Sequence, residues 1–376
     1  MKKQMKIPLA KPYIGEEEVT EVTKVVKSGW LSIGPYLKKF EEGAAKFAGT
    51  KYAVAVNSGT SGLHLCVKAA GIKQGDEVIT SPFSFIASSN PIIFEGGKPV
   101  FVDVDEKTYN MRPELIEEAI TEKTKAILPV HIFGQSCEMD EIMKIAEEHD
   151  LKVIEDACES IGATYKGKKV GTFGESAVFA FYPNKQMTTG EGGVIVTDSE
   201  KVTKLSRSYR NQGRGEVEEW LDHVRIGYNF RMDEMSAAVG TVQMKRLPWM
   251  IKERQRIAET YNKKLGKIDG VITPHTAPHN TNTWFVYTIR VDEGINRDKA
   301  MEYLNKNGVA SKPYFPSLHL QPIYKELLPY KEGDFPVSEA ISKSILALPF
   351  FITLTNEEIE YVTEKVGEAV NSASKK

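Results

Sequence analysis

The sequence has few cysteines and no long apolar run. Only 3 of its 376 residues are cysteines, at Cys66, Cys137 and Cys158. They are too few and too widely spaced for a disulfide framework or a cysteine metal cluster, so we expect reduced thiols and no metal site. No apolar run approaches the roughly twenty residues that cross a bilayer, and no leading segment resembles a signal peptide. We therefore expect a cytoplasmic protein without membrane contact.

The sequence also has no large excess of charge of either sign. The chain has 49 basic and 51 acidic residues and a net charge of −2, so no general attraction to nucleic acid follows. We expect no nucleic-acid partner, and an anionic ligand must be held locally. With 41% hydrophobic residues, the chain is large enough for two domains with substantial cores.

Lys185 lies between an apolar strand pattern and a glycine-rich turn. Residues 176–181 are apolar and rich in β-branched and aromatic side chains, Pro183 ends the strand, and three glycines in 190–193 allow a tight turn. A lysine held there as a neutral amine can bond an aldehyde, which is the chemistry of pyridoxal phosphate (PLP) enzymes. A single lysine after a strand is more often a solvated cation, so other segments must decide.

Two further polar segments follow predicted strands. Asp156 ends the strand beginning at Lys152, and a carboxylate there can keep a pyridine nitrogen protonated, although it can also cap a helix. Gly59, Thr60 and Ser61 follow another strand and open a helix. Free N–H groups, the helix dipole and hydroxyls suit a phosphate there, although an ordinary helix cap has the same pattern.

An aromatic residue, Phe85, follows the strand Glu77–Thr80 and can stack on a flat ring or pack in the core. The phosphate cup, Phe85, Asp156 and Lys185 all follow the carboxyl ends of predicted strands. Open α/β sheets bind ligands at that edge. The joint occurrence of the four features favours a PLP site.

Short strands alternate with helical patterns, which is typical of an α/β fold with a mostly parallel central sheet. We predict a large domain over residues 1–248 and a smaller C-terminal α+β domain over 249–376. The predicted strands are Tyr52–Val56, Glu77–Thr80, Pro99–Asp103, Ala126–Val130, Lys152–Glu155, Ser176–Phe181, Val194–Thr197 and Trp284–Val291, and the predicted helices include Met232–Leu265, Arg297–Asn307 and a final helix from Asn356.

The chain resembles the DegT-type nucleotide-sugar aminotransferases, which are fold-type I PLP-dependent transferases. Its most specific matching segments are Thr188–Gly193 and Gly227–Arg231. The resemblance implies that Glu159 lies near the 3-oxygen of the PLP ring, where relatives usually have Gln or His. The other implied roles are Lys185 as the catalytic residue bonded to PLP, Asp156 on the pyridine nitrogen, Phe85 beside the ring, and Gly59, Thr60 and Ser61 on the phosphate.

By the same resemblance, Asn229 reaches the phosphate bound to a neighbouring subunit, which implies a homodimer with shared active sites. One departure concerns Ala180, because the family usually has a phosphate-binding serine there. We hypothesise that the hydroxyl of Ser61 replaces it.

Substrate contacts are also implied by the resemblance. Arg231 is the best candidate among several arginines of residues 207–231, which can grip a diphosphate or form a solvated face. The segment containing Tyr314, Phe315 and His319 resembles the sugar-facing segment of the family, although a proline-rich packing loop has the same composition. Its Tyr-Phe-Pro form is more similar to enzymes that aminate C4 of a GDP-linked 4-keto-6-deoxy sugar than to C3 enzymes.

The resemblance implies transfer of an amino group from glutamate to a nucleotide-linked ketosugar for polysaccharide or glycan biosynthesis, with pyridoxamine phosphate (PMP) as the intermediate cofactor form. Amination at C3 remains open. Sugar dehydration is disfavoured, because related dehydratases replace the lysine with histidine. A PLP lyase or desulfurase and a non-catalytic carbohydrate-binding or regulatory protein are further alternatives.

Overall fold

Seven strands form the central sheet of the computed structural model, which describes residues 5–215 and 222–374. The strands of the protein are Tyr52–Val56 (β1), Glu77–Thr80 (β2), Lys98–Phe101 (β3), Thr124–Leu128 (β4), Lys152–Asp156 (β5), Thr164–Tyr165 (β6), Lys168–Lys169 (β7), Ser176–Ala180 (β8), Gly193–Thr197 (β9), Val271–Ile272 (β10), Asn280–Thr281 (β11), Tyr287–Val291 (β12) and Ile345–Leu348 (β13).

Helices cover the sheet and build the C-terminal part. They are Glu16–Ser28 (α1), Pro35–Ala48 (α2), Gly59–Ala69 (α3), Asn90–Phe94 (α4), Ile116–Ala119 (α5), Met139–Glu148 (α6), Glu200–Arg210 (α7), Glu234–Leu265 (α8), Arg297–Lys306 (α9), Pro322–Leu327 (α10), Pro336–Ser344 (α11) and Asn356–Ala373 (α12). No helix in the described ranges is both long and apolar enough to span a membrane.

The central sheet has the strand order β1-β9-β8-β5-β4-β2-β3. β9 is antiparallel to both of its neighbours, β1 and β8, and the remaining pairs are parallel. The predicted mostly parallel sheet of an α/β fold is therefore confirmed. Because six of these strands point in the same direction and only β9 points in the other, the loops after β1, β2, β4, β5 and β8 meet at one edge of the sheet.

Most predicted strands match, and the differences have local causes. The strand predicted over Ala126–Val130 covers Thr124–Leu128, because Pro129 has no N–H to donate to the ladder. The strand predicted from Trp284 begins at Tyr287. Trp284 has a φ of 54°, in the left-handed region that interrupts an extended strand.

A second core lies in the C-terminal part of the chain, around the small sheet β10-β12-β13 and the helices α9 and α12. The long helix α8 crosses the predicted boundary at residue 248 without ending there, and its second half packs in that C-terminal core through Ile257, Tyr261 and Leu265. The division at residues 248 and 249 stays a prediction.

Candidate active site

A cavity of about 440 Å³ lies at the carboxyl edge of the sheet, and Lys185 lines it. The lysine lies in the turn after β8, where its N–H donates to the carbonyl of Tyr182 at 2.9 Å. Its carbonyl accepts a 2.8 Å hydrogen bond from the buried guanidinium of Arg254 on α8. Its backbone is therefore fixed, while its side chain points into the cavity with 14% of its surface exposed.

The Nζ atom of Lys185 has two close neighbours. It donates to Oε1 of Glu159 at 3.4 Å, and it lies 3.7 Å from the centroid of the Phe285 ring. Burial raises the pKa of Glu159, and the charge of Lys185 offsets part of that effect. The arrangement allows the lysine either to carry a proton or to present an amine to a ligand in the cavity.

Asp156 lines the same cavity from the end of β5 and is buried. Its carboxylate accepts hydrogen bonds from the hydroxyl of Ser88 at 2.6 Å and from the N–H of Cys158 at 3.1 Å. Its neighbour Glu155 points to the other face of the strand, where it pairs with His131. This alternation explains why only one acid of the Glu-Asp pair faces the cavity.

The start of α3 forms the predicted phosphate cup. Gly59 and Thr60 line the cavity, and Ser58 caps the helix by accepting from the N–H of Ser61 at 3.1 Å. A Cβ atom on Gly59 would lie 2.7 Å from the Cβ of Ala180, so this close approach requires glycine.

Ser61 does not line the cavity. Its hydroxyl donates to Oδ1 of Asn57 at 2.7 Å and lies 2.9 Å from the hydroxyl of Ser58. The idea that this hydroxyl replaces a missing serine at position 180 therefore lacks support from the geometry. Ala180 itself lines the cavity.

Aromatic side chains form one wall of the cavity. Phe85 is 58% exposed, and its ring centroid lies 6.3 Å from that of Phe315. The hydroxyl of Tyr314 accepts from Nδ2 of Asn184 at 3.5 Å. Burial raises the pKa of Tyr314 to about 12, so the hydroxyl keeps its proton near neutral pH and can donate it to a ligand.

The expectation for His319 is wrong. Its side chain is fully buried and forms a 3.0 Å hydrogen bond with Glu339. Its ring also packs edge-on against Phe335. The segment turns inward after Phe315, so His319 lies against Glu339 and Phe335 and cannot contact a sugar in the cavity.

Arg231 and Asn229 do not line the PLP-type cavity either. Arg231 lies in a second cavity of about 400 Å³, which we call the arginine cavity, together with Arg207, Arg210 and Arg214. Burial and the nearby charges of Arg214 and Arg210 lower the pKa of Arg231. Asn229 is exposed, and its carbonyl accepts a 3.5 Å hydrogen bond from Asn57 beside the phosphate cup.

The residues around the first cavity fit PLP. The cavity combines a lysine amine, a carboxylate for the pyridine nitrogen, a helix start for the phosphate, and an aromatic wall for the ring. A Cβ atom at position 59 would press against Ala180 and Cys158, which also line the cavity, so glycine lets this helix start lie against them. In the described residues, no group of three or more His, Cys, Asp or Glu side chains is arranged to hold a metal.

Sequence reasoning missed Phe285, Ser88 and Arg254. Phe285 lies 100 residues beyond Lys185 (285 − 185), and reaches it only because the chain between Trp284 and β12 returns to the sheet edge. Ser88 follows Phe85 closely, so the motif around Phe85 contained a usable signal. The sequence contained no signal for the role of Arg254, because an arginine in a long helix is normally exposed.

Comparison with known proteins agrees with this site. Residues 12–367 match the DegT/DnrJ/EryC1/StrS aminotransferase family. The chain is 39% identical to the Bacillus subtilis spore coat polysaccharide biosynthesis protein SpsC (98% of each protein covered) and 38% identical to the GDP-perosamine synthase of Caulobacter vibrioides (95% of this chain, 96% of the relative).

A solved structure shows the same fold. A Streptococcus pneumoniae protein provisionally called a sugar aminotransferase, known in PLP and PMP forms, superposes with a TM-score of 0.93 at 28% identity and covers 98% of this chain and 100% of its own. The predicted fold-type I architecture and the PLP cofactor are thereby confirmed. The chain belongs to the DegT/DnrJ/EryC1/StrS family of PLP-dependent sugar aminotransferases.

Proposed function

We propose that the protein transfers an amino group from glutamate to C4 of a nucleotide-linked 4-keto-6-deoxyhexose for the biosynthesis of a surface polysaccharide or glycan. The observation that carries this proposal is the position of Lys185 in one cavity with Asp156, the phosphate cup and the aromatic wall. The identity to a GDP-perosamine synthase and to SpsC supports a nucleotide sugar and a polysaccharide.

PLP bound in the cavity would carry the amino group between donor and sugar and delocalise the electron pair left when a C–H bond breaks. Asp156, fixed by Ser88 and Cys158, holds the charge of the pyridine nitrogen. Lys185 takes the proton from the donor's α-carbon and later returns a proton to the sugar carbon. Arg254 keeps the backbone of Lys185 in place during both transfers.

Tyr314 and Phe315 are the proposed sugar contacts. Phe315 supplies a flat apolar surface, and the protonated hydroxyl of Tyr314 donates to a sugar hydroxyl. Both lie on the same wall as Phe85, so a ring bound there lies next to Lys185. We expect Phe315→Ala to raise KM for the ketosugar and to leave KM for glutamate unchanged.

We further propose a homodimer in which one protomer completes the site of its partner. Asn229 is exposed, and Arg231 lies in the arginine cavity, where Arg214 and Arg210 repel it. Trp30, Leu31 and Ile33 are exposed apolar residues, and Ile33 lines the arginine cavity. A second copy covering this surface would bring the arginines to the diphosphate of its nucleotide sugar.

The proposal places the enzyme in the cytoplasm, where thiols stay reduced. Cys66, Cys137 and Cys158 are all free in the structure, which supports this placement.

The decisive experiment incubates the enzyme with glutamate and GDP-, UDP- and dTDP-linked ketosugars, with mass spectrometry of the products. We expect an aminosugar from a 4-keto-6-deoxyhexose, with the nitrogen on C4 by NMR, and no product from Lys185→Ala. Amination at C3 would replace the C4 assignment. A deoxygenated sugar would instead indicate a dehydratase, and turnover of amino acids without ketosugar would indicate a lyase. Absence of a visible PLP band would indicate a non-catalytic protein.

A further inference from the structure

Glu159 is an unusual residue for a site that binds an anionic cofactor. It follows β5, is 6% exposed, and lies with its carboxylate between two donors. Oε2 accepts the N–H of Phe133 at 3.1 Å, and Oε1 accepts from Nζ of Lys185 at 3.4 Å. The backbone carbonyl of Glu159 also accepts a hydrogen bond from the side-chain amide of Gln186. The carboxylate therefore has a fixed position beside the reactive amine.

The charge around Lys185 comes from several elements. Glu159 and Asp156 contribute negative charge from the end of β5, and Cys158 lies between them with a thiol whose pKa is raised by burial. Tyr314 faces the cavity as a neutral phenol, and Arg254 contributes positive charge near the carbonyl of Lys185. Among these groups, only Glu159 has a side-chain atom recorded within hydrogen-bonding distance of Nζ.

We propose that Glu159 is a positioning residue that holds Lys185 in its ammonium form while the lysine carries the proton of the donor amino acid. A carboxylate bonded to a base keeps that base in position and stabilises the cation formed when it accepts a proton. The fixed N–H of Phe133 keeps Glu159 from rotating away from the lysine. This inference rests on the proposed aminotransferase function.

The proton transfer balances with the amino donor, the ketosugar and the PLP that the proposed function already requires. The α-C–H bond of the donor breaks, and Nζ of Lys185 forms a new N–H bond and becomes a cation. The electron pair of the broken bond would pass to bound PLP, which leaves the donor oxidised. The carboxylate of Glu159 gains no proton and changes no bond, because it acts only as the counter-ion. In the return step an N–H bond of Lys185 breaks as a proton passes to the sugar carbon, and Lys185 is neutral again. The electron pair of the new C–H bond is the one that the cofactor would carry over from the donor.

The first test measures Lys185 itself, in the full chain freed of PLP. Trace acetic anhydride and peptide mass spectrometry report the acetylation of Lys185 against pH, and the midpoint reports loss of its proton. Glu159→Gln keeps an acceptor for Phe133 but removes the charge, so we expect the midpoint to fall by about one to three pH units. Glu159→Asp retains the charge and should recover part of that shift.

Glu147→Gln is the matched control, because it removes the same charge from an exposed position on α6. We expect it to leave the midpoint at the wild-type value. An unchanged midpoint in Glu159→Gln would overturn the proposal, as would an equal shift in the control. Circular dichroism and the melting temperature of each variant show whether the fold is intact, and Glu159→Asp provides the reading if Glu159→Gln does not fold.

The second test uses glutamate deuterated at its α-carbon. In Glu159→Gln we expect kcat to fall by about ten- to a hundredfold and the primary isotope effect to rise, because proton transfer becomes slower. We expect KM for the ketosugar to change by less than about twofold. An unchanged isotope effect with a large rise in KM would mean that Glu159 only shapes the cavity. If no ketosugar is aminated but the labelling midpoint moves, the proposed substrate is wrong while the assignment of Glu159 stands.

Discussion

The Nζ atom of Lys185 lies 3.7 Å from the centroid of the Phe285 ring, so this amine rests on an aromatic face as well as beside Glu159. The lysine thus has one neighbour that favours its cation through charge and one that favours it through the ring quadrupole. Both neighbours leave the amine accessible from the cavity.

Replacing Phe285 with leucine tests the aromatic contact. Leucine keeps most of the apolar volume but has no quadrupole, and a desolvated cation–π contact contributes about 0.5 to 2 kcal/mol. We expect kcat to fall by about two- to thirtyfold, from that energy, with a small change in KM. Steady-state kinetics with glutamate and the ketosugar provide the measurement.

The control for this substitution is Phe101→Leu. Phe101 is similarly buried but packs in a separate cluster around Tyr324 and Phe335. It should lower the melting temperature without a comparable effect on kcat. Equal losses of kcat in the two variants would mean that the effect of Phe285 is general destabilisation.

Gly59→Ala tests the close approach at the phosphate cup. The added Cβ would lie 2.7 Å from the Cβ of Ala180 and 3.1 Å from the sulfur of Cys158, so the start of α3 must move. We expect PLP affinity to fall by about tenfold or more, since the N–H groups that face the phosphate move with the helix. Fluorescence titration of the cofactor-free protein with PLP measures this.

Gly43→Ala provides the matched comparison. Gly43 lies inside α2, where a Cβ would meet only Met244 at an ordinary 3.6 Å. Alanine is a better helix former there, so the melting temperature should hold or rise and PLP affinity should stay unchanged. If Gly59→Ala bound PLP as tightly as Gly43→Ala, the phosphate would have to bind elsewhere.

The sequence predicted most of the sheet and several residues that line the first cavity, because both depend on local patterns. β1 and β2 have the predicted bounds, and Lys185, Asp156 and Gly59 all line the cavity. These residues follow strands directly, so the sheet geometry alone brings them together. Side chains alternate between the two faces of β5, which explains why Glu155 points away from the cavity that Asp156 lines.

Residues contributed by distant segments could not be predicted in the same way. Phe285 reaches Lys185 through the path of the chain after α8, and Arg254 reaches it from α8 itself. No periodicity in the sequence indicates either contact. The prediction that His319 contacts the sugar was wrong, because the aromatic, proline-rich composition of its segment does not show which side chains turn inward. The contact of Asn229 with the phosphate bound to a neighbouring subunit depends on a second protomer and stays a prediction.

Glu155 provides a prediction about stability. It is fully buried, pairs with His131 at 3.0 Å, and accepts the N–H groups of Gly171, Phe173 and Gly174. Burial alone would raise the pKa of this carboxyl, but these hydrogen bonds and the charge of His131 lower it. We expect Glu155→Gln to reduce the free energy of unfolding by about 3 kcal/mol at pH 7, because an amide cannot accept all four bonds.

The pH dependence of that loss follows from the sign of the shift. Because the folded protein lowers the pKa, the stabilisation is fully present above the unfolded value of about 4.3 and is lost as the pH falls through the folded value. The difference between wild type and Glu155→Gln should therefore shrink below about pH 4. Urea unfolding at pH 7 and between pH 3 and 5 measures it, and a difference independent of pH would contradict the role of the carboxylate.

Mixing two defective variants tests the proposed shared active site. Lys185→Ala removes the amine that we propose is catalytic, and Asn229→Ala removes the proposed contact to the partner's phosphate. The loss of this hydrogen bond to a charged group should weaken PLP binding by about ten- to a hundredfold. In a heterodimer of the two, one site combines Lys185 of one subunit with Asn229 of the other. Equal mixing after unfolding and refolding should restore about a quarter of the wild-type activity at limiting PLP, because half of the dimers are mixed and each has one intact site.

The alternative outcome is equally informative, because the carbonyl of Asn229 already lies beside Asn57 and the phosphate cup of its own protomer. If Asn229 served its own site, the mixture would show no more activity than the sum of the two variants. Light scattering on each variant and on the mixture establishes that dimers form, so a lack of recovery in a dimeric mixture would assign Asn229 to its own subunit. Recovery that disappears when the subunits are mixed without unfolding would show that the complementing sites require exchange of protomers.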